Sequence, residues 1–428
     1  MRRREAAWEY LRGALWVLPA IAVVLALALG SILSSLNTRP GTWMHRLAFQ
    51  GTPDDARTLL IGTAGTMITV IALTLGLTVV ALQLSSTQFS PRILRNFLRD
   101  RPNQVVLSVF VATFAYSIAG LYTVGVSAGS RTEDYPRLAV SWAMVLLFLS
   151  LGALVYEIHH LTHSLQVDEI MRKVERNTRE VVRHGLLPVS ALPLPPVPDS
   201  AATVVSAHTG YVQTVHPERL VDCGVTVRIA PCVGDHIAAG TTPLAWVWSG
   251  TGRPFDVPDV GREVEQAVRI GFERTFEQDA AFGLRQLVDV ASKALSAAIN
   301  DPYTAVQAID HLTAIMASLT RRELGPLVLP AGPADSVAVP AFTYDDYLDL
   351  VCAQIRRFGA REPSVVLALI RLLRDCAAAT RDEDRRAAIG LQLRLLEEDA
   401  TRSIAQPADL TAVAEASAAL RVRLTGAR

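Results

Sequence analysis

Four long apolar runs dominate the first third of the chain, at residues 14–33, 58–84, about 105–126 and about 138–158. Each is close to or above the roughly 20 residues that a helix needs to cross a hydrocarbon core. The second run carries no charged side chain between Thr58 and Leu84, so four membrane-spanning helices are predicted. The first run follows Met1-Arg2-Arg3-Arg4 as a secretory signal would. It is nonetheless as long as a full span and further spans follow, which predicts a retained helix; Pro19 is tolerable there. Arg2, Arg3, Arg4 and Arg12 precede the first span, Arg92, Arg95, Arg99 and Arg101 follow the second, and Arg172, Lys173, Arg176, Arg179 and Arg183 follow the fourth. The alternate connections hold fewer cations and balance them with acids. The positive-inside rule then places both termini in the cytoplasm.

Beyond the fourth span a helical pattern continues to about residue 185, with Leu161, Leu165, Ile170 and Val174 on one face. The Pro-rich stretch 188–199 reads as an extended linker. From Thr203 to Trp248 the period changes to short alternating strands punctuated by Gly, Pro and Asp, which predicts a small β module. Its Gly234-Asp235-His236-Ile237-Ala238-Ala239-Gly240 turn looks like that of biotinyl- or lipoyl-type barrel sandwiches, but the module contains no lysine to carry either group. Helices are predicted over residues 262–274, 278–298, 302–319, 344–358, 363–379, 382–399 and 407–424, with Asp301 and Pro302 as N-cap and first residue of the third. Residues 325–340, rich in Pro, Gly and Ala, read as a linker. The expected organisation is a four-span domain (1–160), a helix and Pro-rich linker (161–200), a cytoplasmic barrel-sandwich-like β module (201–255), a helical core (256–323) and a helical C-terminal region (324–428). The fold class is a mainly α-helical membrane protein.

Composition narrows the function. Lys plus Arg and Asp plus Glu are 41 each, so the chain lacks the basic field of a nucleic-acid binder. Cys223, Cys232, Cys352 and Cys376 form no C-x-x-C pair, which indicates neither zinc nor a disulfide framework. No phosphate-binding loop, dinucleotide fingerprint or nucleophile elbow is present, and no cofactor or enzymatic activity is expected.

Three sets of residues remain as candidates. At about 100° per residue, Gly62, Gly65, Thr69, Gly76 and Gln83 share a narrow arc of the second span, beside Thr63, Thr66, Thr74 and Thr78. Ile61, Ala64, Ile68, Ile71, Leu75, Val79 and Leu82 are placed opposite. Small residues on one face suit close helix packing; the other reading is a polar seam along a pore. Where the fourth span ends, Glu157, His159, His160 and His163 cluster, either as interfacial contacts or as a metal or pH sensor. Arg274, Asp279, Arg285, Asp289, Lys293, Asn300, Asp301 and Asp310 form the most charged constellation of the later chain. Within it Arg285, Asp289 and Lys293 are spaced four apart, as an ion-pair ladder on one helix requires. A structural polar network and a ligand site both fit it.

The run from Ala81 through Gln83-Leu84-Ser85-Ser86-Thr87-Gln88-Phe89-Ser90-Pro91-Arg92 to Asp100 resembles the bacterial predicted membrane proteins grouped as domain of unknown function 2254 (DUF2254). Gly210-Tyr211-Val212-Gln213 with the Gly234-Asp235 turn, and Asp279 to Leu287 through Lys293 to Ile299-Asn300-Asp301-Pro302-Tyr303, agree with it. The chain departs from the family at Ala297, where Pro is common, and at Ser108, where Gly is. The resemblance implies four spans and a cytoplasmic domain but no settled activity. The expected partners are the lipid bilayer and further copies of the chain. The expectation is a homo-oligomeric channel or pore-like assembly in the bacterial inner membrane; a membrane-anchored scaffold or sensor, binding a partner or small ligand through its cytoplasmic domains, is the alternative.

Overall fold

The computed structural model describes residues 16–35, 48–88, 101–127, 135–164, 166–190 and 192–426. The chain divides into two compact units that part between Gln166 and Val167.

The first unit contains α1 (Val17–Ser35), α2 (Pro53–Gln88), α3 (Arg101–Ser127) and α4 (Arg137–Ser164). All four are long and apolar enough to cross a membrane. Thr52 and Asp55 start α2 reciprocally: the Asp55 amide donates to the Thr52 hydroxyl at 3.2 Å and the Thr52 amide to the Asp55 carboxylate at 2.9 Å. The third span, α3, packs against each of the other three. Tyr116 and Phe110 of α3 are fully buried in two apolar clusters, the first with Leu60 and Ala143, the second with Met67 and Val106. Two buried contacts pair polar groups inside, as an apolar surround favours. The Thr113 and Ser150 hydroxyls lie 2.9 Å apart, and the Tyr116 hydroxyl donates to the Ala139 carbonyl at 2.8 Å.

In the second unit, α5 (Val167–Glu180) runs into a π-helical turn (Val181–Gly185). Five strands follow: β1 (Ala202–Val205), β2 (Gly210–Val215), β3 (Thr226–Ile229), β4 (His236–Ile237) and β5 (Pro243–Trp248). Next come α6 (Val257–Ala267), β6 (Val268–Gly271), α7 (Ala280–Ala294), α8 (Pro302–Leu319), β7 (Leu327–Pro330) and β8 (Ser336–Val339). The chain closes with α9 (Tyr344–Gly359), α10 (Pro363–Ala379), α11 (Glu383–Ser403) and α12 (Pro407–Thr425). One sheet has the order β1-β5-β3-β8-β7, antiparallel except for the β3–β8 pair; the other is β4-β2-β6. Val212, Val227, Ile229, Leu244, Val247 and Val337 belong to one buried cluster shared by the sheets and α6. Burying an aliphatic side chain of this size contributes about 1.5–3 kcal/mol.

Three expectations are corrected. The residues expected to continue a helix past Ala267 turn extended at Val268, because Val268-Arg269-Ile270-Gly271 pairs with β2. Residues 325–340 are not a linker: they hold the β7–β8 hairpin, whose second strand takes the edge of β3. Both pairings join segments far apart in sequence, so local composition does not announce them. The helix expected to run unbroken from the fourth span to residue 185 is interrupted, since α4 ends at Ser164 and α5 begins at Val167. The buried face of α5 is Met171, Val174 and Thr178, whereas Ile170 is half-buried and Leu165 lies outside the described residues. Thr178 seats directly over Gly283 of α7, where any Cβ would collide with its hydroxyl.

Candidate functional site

On α2, Gly62, Gly65, Thr69, Gly76 and Gln83 are all exposed. A Cβ added at Gly62, Gly65 or Gly76 would meet nothing within 4 Å. Among the described residues, this face therefore meets no other span closely at its glycines. The side turned inward carries Leu60, Thr63, Ala64, Met67 and Thr74, and the small residue that lets α2 approach α3 is Gly120, whose Cβ would lie 3.2 Å from Leu60. Ala64, placed on the outer apolar arc from the sequence, is buried, while Ile61, Ile68, Leu75 and Val79 are exposed. Phe49, Asp55, Thr58, Gly62, Thr66 and Leu147 line an open groove of about 480 Å³ along the first half of α2. The threonines of this helix bond back onto it: Thr63 to the Leu59 carbonyl at 2.8 Å, Thr66 to Gly62 at 2.7 Å, Thr69 to Gly65 at 3.3 Å and Thr78 to Thr74 at 2.8 Å. Their protons are used, so the face presents oxygen lone pairs but no charge.

At the end of α4, His159 is exposed, and His160 stacks on Tyr156 with ring centroids 5.8 Å apart and planes at 6°. Glu157 is buried. The His163 side chain lies outside the described residues, as does the Phe89 to Asp100 part of the family run. Among the described residues no group of three His, Cys, Asp or Glu side chains converges on a metal position.

The eight charged or polar residues of the second unit divide into separate posts. Arg274 and Asp279 form a bidentate pair at 2.7 and 2.8 Å, and the same carboxylate accepts the Phe282 amide at 3.0 Å to cap α7. Burial pushes the Asp279 carboxyl up, against the smaller lowering by Arg274, the Phe282 amide and Arg285. Gly234, at φ 94°, fits here because its Cβ would stand 2.6 Å from both Arg274 and Asp279. Asp301 caps α8, taking the Thr304 amide at 3.1 Å and its hydroxyl at 2.6 Å. These two hydrogen bonds hold its carboxyl below the usual range. Asn300 stands before it in the left-handed region at φ 50°. Asp310 pairs with Arg371 of α10 at 2.6 Å. On α7, Arg285 is exposed, and Asp289 and Lys293 are half-buried.

Beside the Arg274–Asp279 pair lies a cavity of about 40 Å³, lined among others by Leu187, Cys232, Gln278, Asp279, Phe342 and Tyr347. Gln278 is committed to both backbone groups of Val215, at 2.9 and 3.2 Å. Tyr347 is buried and its hydroxyl has no hydrogen-bond partner among the described residues. Burial pushes its phenol up, and pushes the Cys232 thiol up to about 11. Thiol and phenol therefore stay protonated at neutral pH, which suits holding a few waters or a small uncharged molecule more than nucleophilic chemistry.

A further polar centre has no local signal. His311 of α8 places Nδ1 2.7 Å from Glu175 and Nε2 3.6 Å from Asp168, both on α5. Arg179 holds Glu175 at 3.1 Å and Arg172 holds Asp168 at 2.8 Å. Asp168 and Glu175 are seven apart and so share one helix face, but their partner lies 136 residues beyond Glu175.

The family described as predicted membrane protein (DUF2254) matches residues 12–375. The chain is 42% identical over 430 residues to an uncharacterized protein of Mycobacterium bovis and to one of Mycobacterium tuberculosis, covering 98% of this chain and 82% of theirs. No solved structure matches it.

Proposed function

Within DUF2254, the family of predicted membrane proteins to which this chain belongs, we propose that it is a homo-oligomeric, channel-like assembly of the bacterial inner membrane, non-enzymatic, with α2 supplying the surface between copies and along a permeation path. The observation that carries the reading is the outward Gly62, Gly65, Thr69, Gly76 and Gln83 face, with open space above its glycines. Small residues on a membrane helix let a second backbone come close, and the carbonyls and hydroxyl oxygens along such a face can replace part of an ion's water shell. The arginine distribution favours both termini, and hence the second unit, in the cytoplasm.

The test is a cysteine placed at Gly65 in a chain whose four cysteines have been replaced, reconstituted in vesicles. Cross-linking between copies and ion flux blocked by thiol reagents at that position are expected. A chain that remains monomeric and passes no ions overturns the proposal.

A second reading, a membrane-anchored scaffold or sensor, is favoured by the small cavity that Cys232, Asp279 and Tyr347 line together. Exchanging the four spans for an unrelated anchor separates the two: biological activity survives in a sensor and is lost in a channel.

A further inference from the structure

The inward faces of the first unit bury polar side chains as well as apolar ones. Met67 of α2 and Phe110 of α3 belong to one buried apolar cluster, against which Leu147, Ala153 and Leu154 of α4 also pack. Ser150 of α4 is buried on the side turned to α3, with its hydroxyl 2.9 Å from that of Thr113. Leu60 stands against Gly120 while Met67 clusters with Phe110, so α3 runs antiparallel to α2. The Thr113–Ser150 and Tyr116–Ala139 contacts make it antiparallel to α4 as well.

Seven residues of helix are two turns, about 10 Å along the axis, and return to within about 20° of the same face. Two turns past Met67 stands Thr74, two turns before Phe110 stands Asn103, and two turns past Ser150 stands Glu157. Because α3 is antiparallel to both neighbours, all three steps run toward the same end of the unit. The three polar residues therefore share one level, on faces turned toward one another. Their burial agrees, with Thr74 at 5%, Asn103 at 8% and Glu157 at 2% exposure. The Thr74 hydroxyl and the Asn103 amide oxygen are buried without a hydrogen-bond partner among the described residues. Glu157 lies inside the fourth candidate span, Arg137–Thr162, where a carboxylate removed from water is costly unless a positive charge accompanies it.

We infer that Thr74, Asn103 and Glu157 form a binding site for a dehydrated monovalent cation within the first unit. The carboxylate balances a single positive charge, and the two neutral oxygens replace part of the ion's water shell. Oxygen donors without sulfur or imidazole suit a hard cation more than a transition metal. The site lies on the inward side of α2, away from the face of Gly62, Gly65 and Gly76, so it and a path along that face can each fail without the other.

The test is thermal unfolding of the full chain in detergent, titrated with sodium or potassium chloride against N-methylglucamine chloride at constant ionic strength. A saturable rise in unfolding temperature with one of the small cations is expected, as for any ion held only by the folded state. Equilibrium dialysis with that ion as radioisotope should show saturable binding. Glu157→Gln should abolish both effects. Thr74→Val, which keeps the branched shape and removes one oxygen, should weaken binding by roughly tenfold or more, the usual effect of losing one polar contact to a charge. The wild-type titration stands alone, so a variant that fails to fold leaves the test intact. Equal stability in all three salts overturns the inference. So does binding that survives undiminished in Glu157→Gln, and so does stabilisation by acid alone, which would mark Glu157 as a proton site.

Discussion

Two sets of glycines, one in each unit, face in opposite directions. In the second unit Gly283 and Gly234 face inward, one under Thr178 and the other against the Arg274–Asp279 pair, and each is spent on a close approach already made. In the first unit Gly62, Gly65 and Gly76 face outward over empty space, and the inward contact of the same helix is made by Leu60 against Gly120. The difference separates glycines that make a close approach within their unit from glycines that leave a face of α2 open. In water an outward glycine is a cheap surface residue; on a membrane helix it lowers the barrier to a second backbone.

The sharpest break in this comparison is expected from exchanging glycines between the two sets. Gly283→Leu should separate α5 from α7 and destabilise the second unit by about 3 kcal/mol or more, read as a lowered melting temperature, whereas Gly65→Leu should leave the melting of a detergent-solubilised monomer unchanged and alter only assembly. A comparable loss from both would show that the outward face is packed after all. Removing the inward charge is next: Asp279→Ala leaves the half-buried Arg274 without its carboxylate and should cost about 3 kcal/mol. Asp279→Asn, which keeps an acceptor for the Phe282 amide, should cost less. Unfolding in denaturant measures both.

A smaller effect is expected at the α8 cap. Asp301→Ala should cost about 1 kcal/mol at neutral pH. The folded carboxyl sits below its unfolded value near 4, so its contribution is present above that value and is lost as pH falls through the lower folded one. The gap between wild type and variant should therefore close in acid; a gap that persists unchanged would mean that the aspartate acts through shape and not charge. The smallest effect concerns reactivity. Burial pushes the Cys376 thiol up to about 11 and Cys352 further in the same direction. Both should resist alkylation at neutral pH until the second unit unfolds, as followed by mass spectrometry.

Features with a local cause were readable in the sequence. The four apolar helices follow from length and lack of charge, and α8 begins where Asp301 and Pro302 place it, because cap and first turn are set by neighbouring residues. What depends on distant partners was not readable. β6 and the β7–β8 hairpin exist because β2 and β3 have edges to fill, and no composition within residues 325–340 signals that. The α2 face shows the same limit at a candidate site: helical spacing puts its residues on one arc, but whether that arc points to α3 or away depends on which side Leu60 and Met67 bury. His311 carries no local signal for the same reason, since its carboxylates lie on a helix much earlier in the chain.

The His311 clamp has a mechanical consequence. α5 is the first element after α4, and it is fastened to α8 through Glu175 and to α7 through Thr178 before the chain reaches its Pro-rich stretch. Within the second unit, α5 can thus neither turn nor slide without carrying α7 and α8 with it. The prolines lie downstream of those fastenings and take no part in them.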